Sequence, residues 1–447
     1  MKLFRNICFA ALLLASIFTV HAEGYLGLDG EESTSIGIYI KDLKTGEVLV
    51  DHNSQLALTP ASVMKAITTA TALSINGADA RFTTPVSLRG SKGQAGTWNG
   101  DLVIHSCGDP TIESENFKSY RGFCDSIVAG IKRLGIKTIS GNIKVEQRLK
   151  DSGPILQWEC EDIPWPYGAG LYGFNWRDNT VTVYPVKGTC KPAAPGFEIQ
   201  LIKTNSGNDL VRGLGSNQLK VYARSPKPDW ALKATVPDPS AVFVNELQAK
   251  LRTAGVELGK RKNTQTASTE QTIYKHRSAP YGEIMRSLMV RSDNLFAEGM
   301  LRSIAPDGTR KSALQRQKEI WATRGVNPRY TIINDGSGLT RANRLSARFI
   351  GDVLEWMAQS PMADTYTSFF PKAGKEGTMR GFLSKSPLSG KIALKTGSVS
   401  SVQCYAGYKL DDNGKASHVV VILVNGFFCK RPQVREGAEN LLTEIFK

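Results

Sequence analysis

The feature that most limits how this chain can fold is a change of texture in its middle. From about Ala80 to Ala267 the sequence runs in short β-like segments punctuated by Gly and Pro, whereas the residues before and after carry helical patterns. "DLVIHSC", "ISGNIKVEQ", "NTVTVYPV" and "NQLKVYARS" are the clearest predicted strands. "SENFKSYRGFCDSIVAGIKRLG" and "PSAVFVNELQAKLRTAG" read as helices flanking them. A chain of 447 residues is too long for one average domain, so two or three are expected.

Ahead of that interval, "SIGIYIKDLKTGEVLVDHN" alternates apolar and polar residues about Asp42–Gly46 and predicts a β-hairpin. "TPASVMKAITTATALSING" predicts a helix, with Thr59 as N-cap, Pro60 at the first helical position and Asn76-Gly77 as the stop. Beyond the interval, "AGKEGTMRGFL" reads as loop. "KIALKTGSVSSVQCYAGYKLDDNGKASHVVVILVNG" reads as successive strands turning at Asp411–Lys415, and "REGAENLLTEIFK" as a closing amphipathic helix.

The N-terminus predicts a secretory signal peptide over residues 1–22. Lys2 and Arg5 precede the mostly apolar run Ile7 to Val20, and Val20-His21-Ala22 resembles a cleavage site. The run is short for a bilayer span, and no later stretch is long and apolar enough, so an exported protein without a membrane anchor is expected. Six cysteines follow the predicted cleavage point, which permits three disulfides; proximity favours Cys107–Cys124, Cys160–Cys190 and Cys404–Cys429. None lies in a C-x-x-C, and no H-E-x-x-H or G-x-S-x-G accompanies the histidines. Zinc chemistry, dithiol redox chemistry and a Ser-His-Asp hydrolase therefore lack support, and no metal or cofactor is expected. The net charge of +15 suits an anionic partner such as a cell-wall polymer. It is spread along the chain without a nucleic-acid motif, so no nucleic-acid partner is expected.

Three short motifs remain as candidate chemistry. Ser62 and Lys65 form the chain's one Ser-x-x-Lys; on a helix these positions share a face, so hydroxyl and amine can meet. Placement in a first helical turn would favour negative charge there. The alternative is a surface pair on an amphipathic helix. Ser292-Asp293-Asn294 interrupts "YGEIMRSLMVRSDNLFAEGMLRSIA", which is helical on both sides, and could aim two polar side chains into one cleft. A capping turn is the plainer reading. Lys-Thr-Gly occurs twice, at 44–46 and 395–397. The first lies in the predicted hairpin turn. The second sits inside a strand, where Gly marks close approach by a ligand or another backbone. There Thr396 and Ser398 would share one face and Lys395 the other.

In this order the three motifs form the set shared by penicillin-binding proteins and class A β-lactamases. With "TPASVMKAITTATAL", "GDLVIHSCGDPTI", "NTVTVYPV", "RSDNLFAEGMLR" and "NDGSGLTRANRLSA", the chain resembles the D-alanyl-D-alanine carboxypeptidase/endopeptidase family, the low-molecular-mass class C penicillin-binding proteins. The resemblance implies an α/β (α+β) fold whose catalytic part is an antiparallel sheet flanked by helices, with two mostly β inserted domains. The expected boundaries are 24–80 and 268–447 for the catalytic part, 81–152 and 225–267 for the first insertion, and 153–224 for the second.

It further implies hydrolysis of D-Ala-D-Ala in peptidoglycan stem peptides through an acyl-enzyme on Ser62, with β-lactams as inhibitors. Lys65 would take the serine's proton, its amine depressed by burial or by a neighbouring cation, of which Lys395 is the natural one. Ser292 would relay a proton to the leaving amine, and Asn294 would hold the substrate amide. Lys395, Thr396 and Ser398 would bind the terminal carboxylate, and the N–H groups of Ser62 and Ser398 would form the oxyanion hole. A β-lactamase or esterase on the same scaffold and a non-catalytic wall-binding protein are the rivals. The resemblance leaves the oligomeric state and the carboxypeptidase–endopeptidase balance open. Asp335 and its neighbouring glycines read as turn-formers, Arg341 and Arg344 as structural ion-pair partners, and the Trp158–Trp176 aromatics as packing.

Overall fold

The computed structural model describes residues 24–259 and 269–447, so the predicted signal peptide lies outside the described residues. β1 (Ser35–Asp42) and β2 (Val48–His52) form the predicted hairpin. Asp42 builds its turn, its Oδ1 accepting the N–H groups of Lys44 and Thr45 at 2.7 and 2.9 Å. A short turn over Ala61–Val63 leads into α1 (Met64–Asn76), which stops at Gly77. The helix thus begins later than expected. Thr59 does not cap it, because its hydroxyl donates to the Arg341 carbonyl at 3.3 Å.

The middle of the chain supplies β3 (Thr83–Lys92), β4 (Thr97–Ser106), α2 (Phe123–Arg133), β5 (Thr138–Ile139) and β6 (Ile143–Gln147). It continues through β7 (Thr180–Tyr184), β8 (Thr189–Lys191), β9 (Glu198–Lys203), β10 (Asp209–Val211) and β11 (Gln218–Ala223). β12 (Leu232–Thr235), α3 (Pro239–Thr253), β13 (Glu257–Leu258) and β14 (Thr269–Arg277) complete it. Five helices follow: α4 (Tyr281–Arg291), α5 (Asn294–Arg302), α6 (Arg310–Thr323), α7 (Ala347–Ala358) and α8 (Ala363–Ser368). The chain closes with β15 (Ile392–Val399), β16 (Val402–Leu410), β17 (Ala416–Asn425) and α9 (Arg431–Ile445).

The two chain ends build one antiparallel sheet in the order β15-β16-β17-β1-β2. Alternation along its strands divides the core. Tyr39, Ala393, Cys404, Val419, Val421 and Leu423 face α1, α4, α5 and α7, while Ile36, Ile38, Ile40, Ile392, Leu394 and Ile422 face Val434, Ala438 and Leu442 of α9. Because helices cover both faces, β1 is buried continuously from Ile36 to Ile40 rather than on alternate residues. This is the helix-flanked antiparallel sheet that was expected.

The middle segment forms three further sheets: β13-β5-β4-β3-β14 with β6 on β4, β12-β7-β8, and β10-β11-β9. Their shared core packs Phe123, Phe174, Trp176 and Phe243. β14, assigned by sequence to the catalytic part, pairs with β3 from Thr269↔Gly90 to Arg277↔Thr83. β12, assigned to the first insertion, pairs instead with β7.

All six described cysteines are free, so the pairings favoured by proximity are not formed. Cys404 faces one side of the five-stranded sheet and Cys429 packs on the other; Cys107 and Cys124 likewise belong to different cores. Chain proximity does not survive those packing assignments. Among the described residues no helix is long and apolar enough to cross a membrane.

Candidate active site

Ser62 lies on the turn before α1, and the residue preceding it, Ala61, has φ +46°, an uncommon conformation for a residue with a Cβ. Two glycines make room for this turn. A Cβ on Gly397 of β15 would stand 2.5 Å from the Pro60 carbonyl oxygen and 3.1 Å from the Ser62 nitrogen. One on Gly338, itself at φ +77°, would collide with the Ala61 carbonyl. The second Lys-Thr-Gly therefore needs its glycine for close backbone approach, whereas Gly46 in the first triplet only turns a hairpin, at φ +78°. Asn425, at the end of β17, pins the same turn by accepting the Thr59 N–H at 2.8 Å and donating to the Thr59 carbonyl at 3.1 Å.

Lys65 is fully buried and donates to Ser62 Oγ at 2.8 Å, Asn294 Oδ1 at 2.6 Å and the Ser337 carbonyl at 2.6 Å. Burial pushes its amine down to about 8, against the opposing pull of the Asp335, Asp293 and Glu298 carboxylates. Lys395 is also fully buried and donates to Ser292 Oγ at 2.9 Å and to the Thr396 carbonyl at 2.7 Å. Its amine is held well below the usual lysine value by burial first and by the Lys65 charge second. Of the two causes expected for Lys65, burial is the one that lowers it, while Lys395 feels the Lys65 charge.

α4 ends on Ser292 in the left-handed conformation (φ +61°), and Asp293 caps α5 by accepting the Phe296 N–H at 2.9 Å. The turn therefore caps α5, and of its two outer side chains Ser292 lines the cleft described below whereas Asn294 turns to Lys65. Asn294 has two partners of its own within the chain. Its Oδ1 takes Lys65, and its Nδ2 donates to the Tyr167 carbonyl at 2.7 Å, so a segment from the middle of the chain already occupies it.

On β15, Lys395 points toward the helices, whereas Thr396 and Ser398 point away. The Thr396 hydroxyl meets that of Thr378 at 2.9 Å, and Ser398 Oγ donates to Gln403 Oε1 at 2.7 Å. A cleft of about 440 Å³ runs from Ser62 and Ser292 past Thr396 and Ser398 to Arg431 and Arg435, and among the described residues no histidine lines it.

Sequence reasoning missed several parts of this site. Glu298, buried in α5, accepts the Gly336 and Ser337 N–H groups, both at 2.9 Å, and so aims the Ser337 carbonyl at Lys65. Burial, then the Asp335 charge, raises its carboxyl to about 7. Asp335 is a turn-former, accepting the Gly338 and Thr340 N–H groups, but it also accepts the Trp158 indole N–H at 2.9 Å. Arg341 pairs with Glu159 and Glu161, whereas Arg344 donates to Thr59 Oγ1 and to carbonyls. Glu298 was recoverable from its place in "SDNLFAE"; the Tyr167 and Ser337 contributions are backbone carbonyls, which leave no sequence mark.

A serine hydroxyl on a buried lysine amine, beside a second serine–lysine pair and with no histidine among the described lining residues, is an arrangement that a serine hydrolase can use. The chain belongs to the D-Ala-D-Ala carboxypeptidase 3 (S13) family, whose model matches residues 26–443. It is 28% identical over 431 residues to the D-alanyl-D-alanine carboxypeptidase of Actinomadura sp. (strain R39), covering 87% of this chain and 78% of that one. Its fold matches the crystal structure of penicillin binding protein 4 (dacB) from Haemophilus influenzae, with a TM-score of 0.77, 24% identity, and coverage of 93% of this chain and 97% of that one. The same Haemophilus protein complexed with a novel β-lactam matches at a TM-score of 0.73 and 25% identity, again covering 93% and 97%.

Proposed function

We propose that this protein is a serine DD-peptidase that hydrolyses the D-Ala-D-Ala bond of peptidoglycan stem peptides through an acyl-enzyme on Ser62. The observation that carries the reading is the pair of hydroxyl–amine contacts, Ser62 to Lys65 at 2.8 Å and Ser292 to Lys395 at 2.9 Å, opening on one cleft. In its neutral form Lys65 accepts the Ser62 proton as Oγ attacks the carbonyl carbon. The C–N bond then breaks, and Ser292 passes a proton to the departing amine. Water next attacks the ester, returning the acyl chain as a carboxylic acid and Ser62 as a hydroxyl.

The strand approach at Gly397 supports an oxyanion site built from the Ser62 and Ser398 N–H groups, one such donor contributing about 3–4 kcal/mol in other acyl-transfer enzymes. Lys395, Thr396 and Ser398 bind the leaving residue's carboxylate. Asn294 contributes by holding Lys65, and its second N–H reaches the substrate amide. D-Ala-diaminopimelate cross-links place the same kind of bond over the same serine, and β-lactams acylate it.

The basic, apolar and small-residue pattern of residues 1–22 supports export with cleavage after Ala22. The test is a pentapeptide ending in D-Ala-D-Ala, together with fluorescent penicillin. The wild type releases D-alanine and carries a stable label, and Ser62→Ala and Lys65→Ala do neither. Rapid penicillin turnover would identify a β-lactamase instead. No D-alanine release, with normal peptide binding by Ser62→Ala, would identify a binding protein.

A further inference from the structure

We propose that a second pocket, at the seam where the middle segment joins α4 and α5, binds a phosphate group carried as a free ion or a small organic ester. Its volume is about 360 Å³, and its lining shares no residue with the cleft at Ser62. Arg81 and Phe82 come from the link between α1 and β3, and Arg148 directly follows β6. Tyr281 opens α4 and Arg302 closes α5. The inference stands apart from the DD-peptidase reading.

Three guanidinium groups meet here, and none is held in an ion pair among the described residues. Arg302 is 4% exposed. Its Nη2 donates to the Lys150 and Gly308 carbonyls, its Nη1 reaches the Asp151 carbonyl at 3.4 Å, and its Nε has no partner. Burial and then the Arg310 charge lower it to about 10, so its charge is poorly compensated where it sits. Arg81 donates from Nη1 to the Ser278 carbonyl at 2.6 Å, and its guanidinium lies 5.7 Å from the Tyr120 ring centre. Arg148 is exposed, and its guanidinium has no hydrogen-bond partner among the described residues. Asp307 is the one acid in the lining. Its carboxylate serves its own loop, accepting the Thr309 N–H at 2.9 Å and the Thr309 hydroxyl at 3.0 Å.

Tyr281 gives an observation independent of charge. It is only 7% exposed, its ring packs on Phe82 with centres 4.8 Å apart, and its hydroxyl has no hydrogen-bond partner among the described residues. Burial pushes the phenol above its usual value, so it remains a donor at neutral pH. A nearly buried donor in the lining of a cationic pocket calls for an acceptor. A carboxylate brings two oxygens and one charge. A phosphate brings a third acceptor oxygen and close to two charges, which suits three arginine forks, one phenol and a single acid. Phe82 and Leu149 add an apolar wall on which an organic substituent of the phosphate can lie.

The test is calorimetric titration of the full chain, at fixed ionic strength, with orthophosphate, pyrophosphate, phenyl phosphate and malonate. Saturable binding of the phosphates is expected, with malonate about tenfold weaker or more. Tighter binding of phenyl phosphate than of orthophosphate supports an organic ester as the occupant, and the reverse order supports the free ion. Arg81→Gln and Arg148→Gln should each weaken pyrophosphate binding about tenfold. Tyr281→Phe should weaken it several-fold while leaving the unfolding midpoint of the free protein unchanged, since no bond within the chain is lost. Lys415→Gln, which removes the same charge from the distant β16–β17 turn, leaves binding unchanged. The proposal is overturned by absence of saturable phosphate binding, by malonate binding as tightly as pyrophosphate, or by wild-type affinity in the combined Arg81→Gln and Arg148→Gln variant.

Discussion

The side-chain amide of Asn294 donates to the backbone carbonyl of Tyr167 at 2.7 Å, joining the Ser-x-Asn turn to a segment that lies far from it in sequence. A second strut runs parallel to it, from the Trp158 indole to the buried carboxylate of Asp335 at 2.9 Å. The segment around Trp158 and Tyr167 therefore braces Asn294 and Asp335, although it carries none of the motif residues.

Trp158→Phe removes one donor from a carboxylate with no access to water and leaves part of the indole's buried volume unfilled. The expected cost is about 1–3 kcal/mol of stability, read by denaturant unfolding. Because Asp335 orders the loop that presents the Ser337 carbonyl to Lys65, penicillin acylation should also slow several-fold. A variant of unchanged stability and acylation rate would show the strut to be incidental.

The two Lys-Thr-Gly triplets offer an internal control. Gly397→Ala places a methyl against the Pro60 carbonyl and should abolish labelling of Ser62, since the turn and the strand cannot both keep their positions. Gly46→Ala meets no neighbour within 4 Å and strains only its φ of +78°. It should cost about 1 kcal/mol of stability and leave labelling intact. Equal labelling of the two variants contradicts the close approach described at Gly397.

With the Lys65 amine near 8 and the neutral form acting as base, acylation should rise as pH increases and reach half its plateau near pH 8. The same depression has a thermodynamic sign. The unfolded chain binds a proton on Lys65 between about pH 8 and 10.4 that the folded chain does not, so this residue's contribution to stability rises with pH through that window. A rate limb that falls across pH 8 would rule out Lys65 as the base.

Glu298→Gln keeps an oxygen for the Gly336 and Ser337 N–H groups but removes a carboxylate that holds the Lys65 amine up. The acylation limb should move to lower pH while the fold is retained. An unmoved limb, or one displaced upward, argues against an electrostatic role for Glu298.

The strands, the hairpin and the three motifs were readable because each depends on local side-chain pattern: β-branched alternation, turn chemistry at Asp42, and residue spacing on one helix face. The paired ends of the five-stranded sheet followed from resemblance rather than from any local signal. What escaped the sequence is what tertiary packing decides. Cys404 and Cys429 lie close in the chain but on opposite faces of one sheet. Thr59 looks like a cap and instead bonds Arg341. The pull on Lys65 depends on how deeply it is buried, and the partners of Asn294 and Lys65 include carbonyls that any residue could supply.

One feature of the five-stranded sheet bears on the order of events during synthesis. β1 finds its neighbour β17 only at the far end of the chain, with Ser35 opposite Asn425, and the turn that carries Ser62 is clasped by Gly397 and Asn425 from that same late segment. Middle-segment cores involve nearer partners and can consolidate earlier. A chain still on the ribosome therefore holds Ser62 without the neighbours that fix its turn. Competence arrives as a late event, once translation has delivered the last strands.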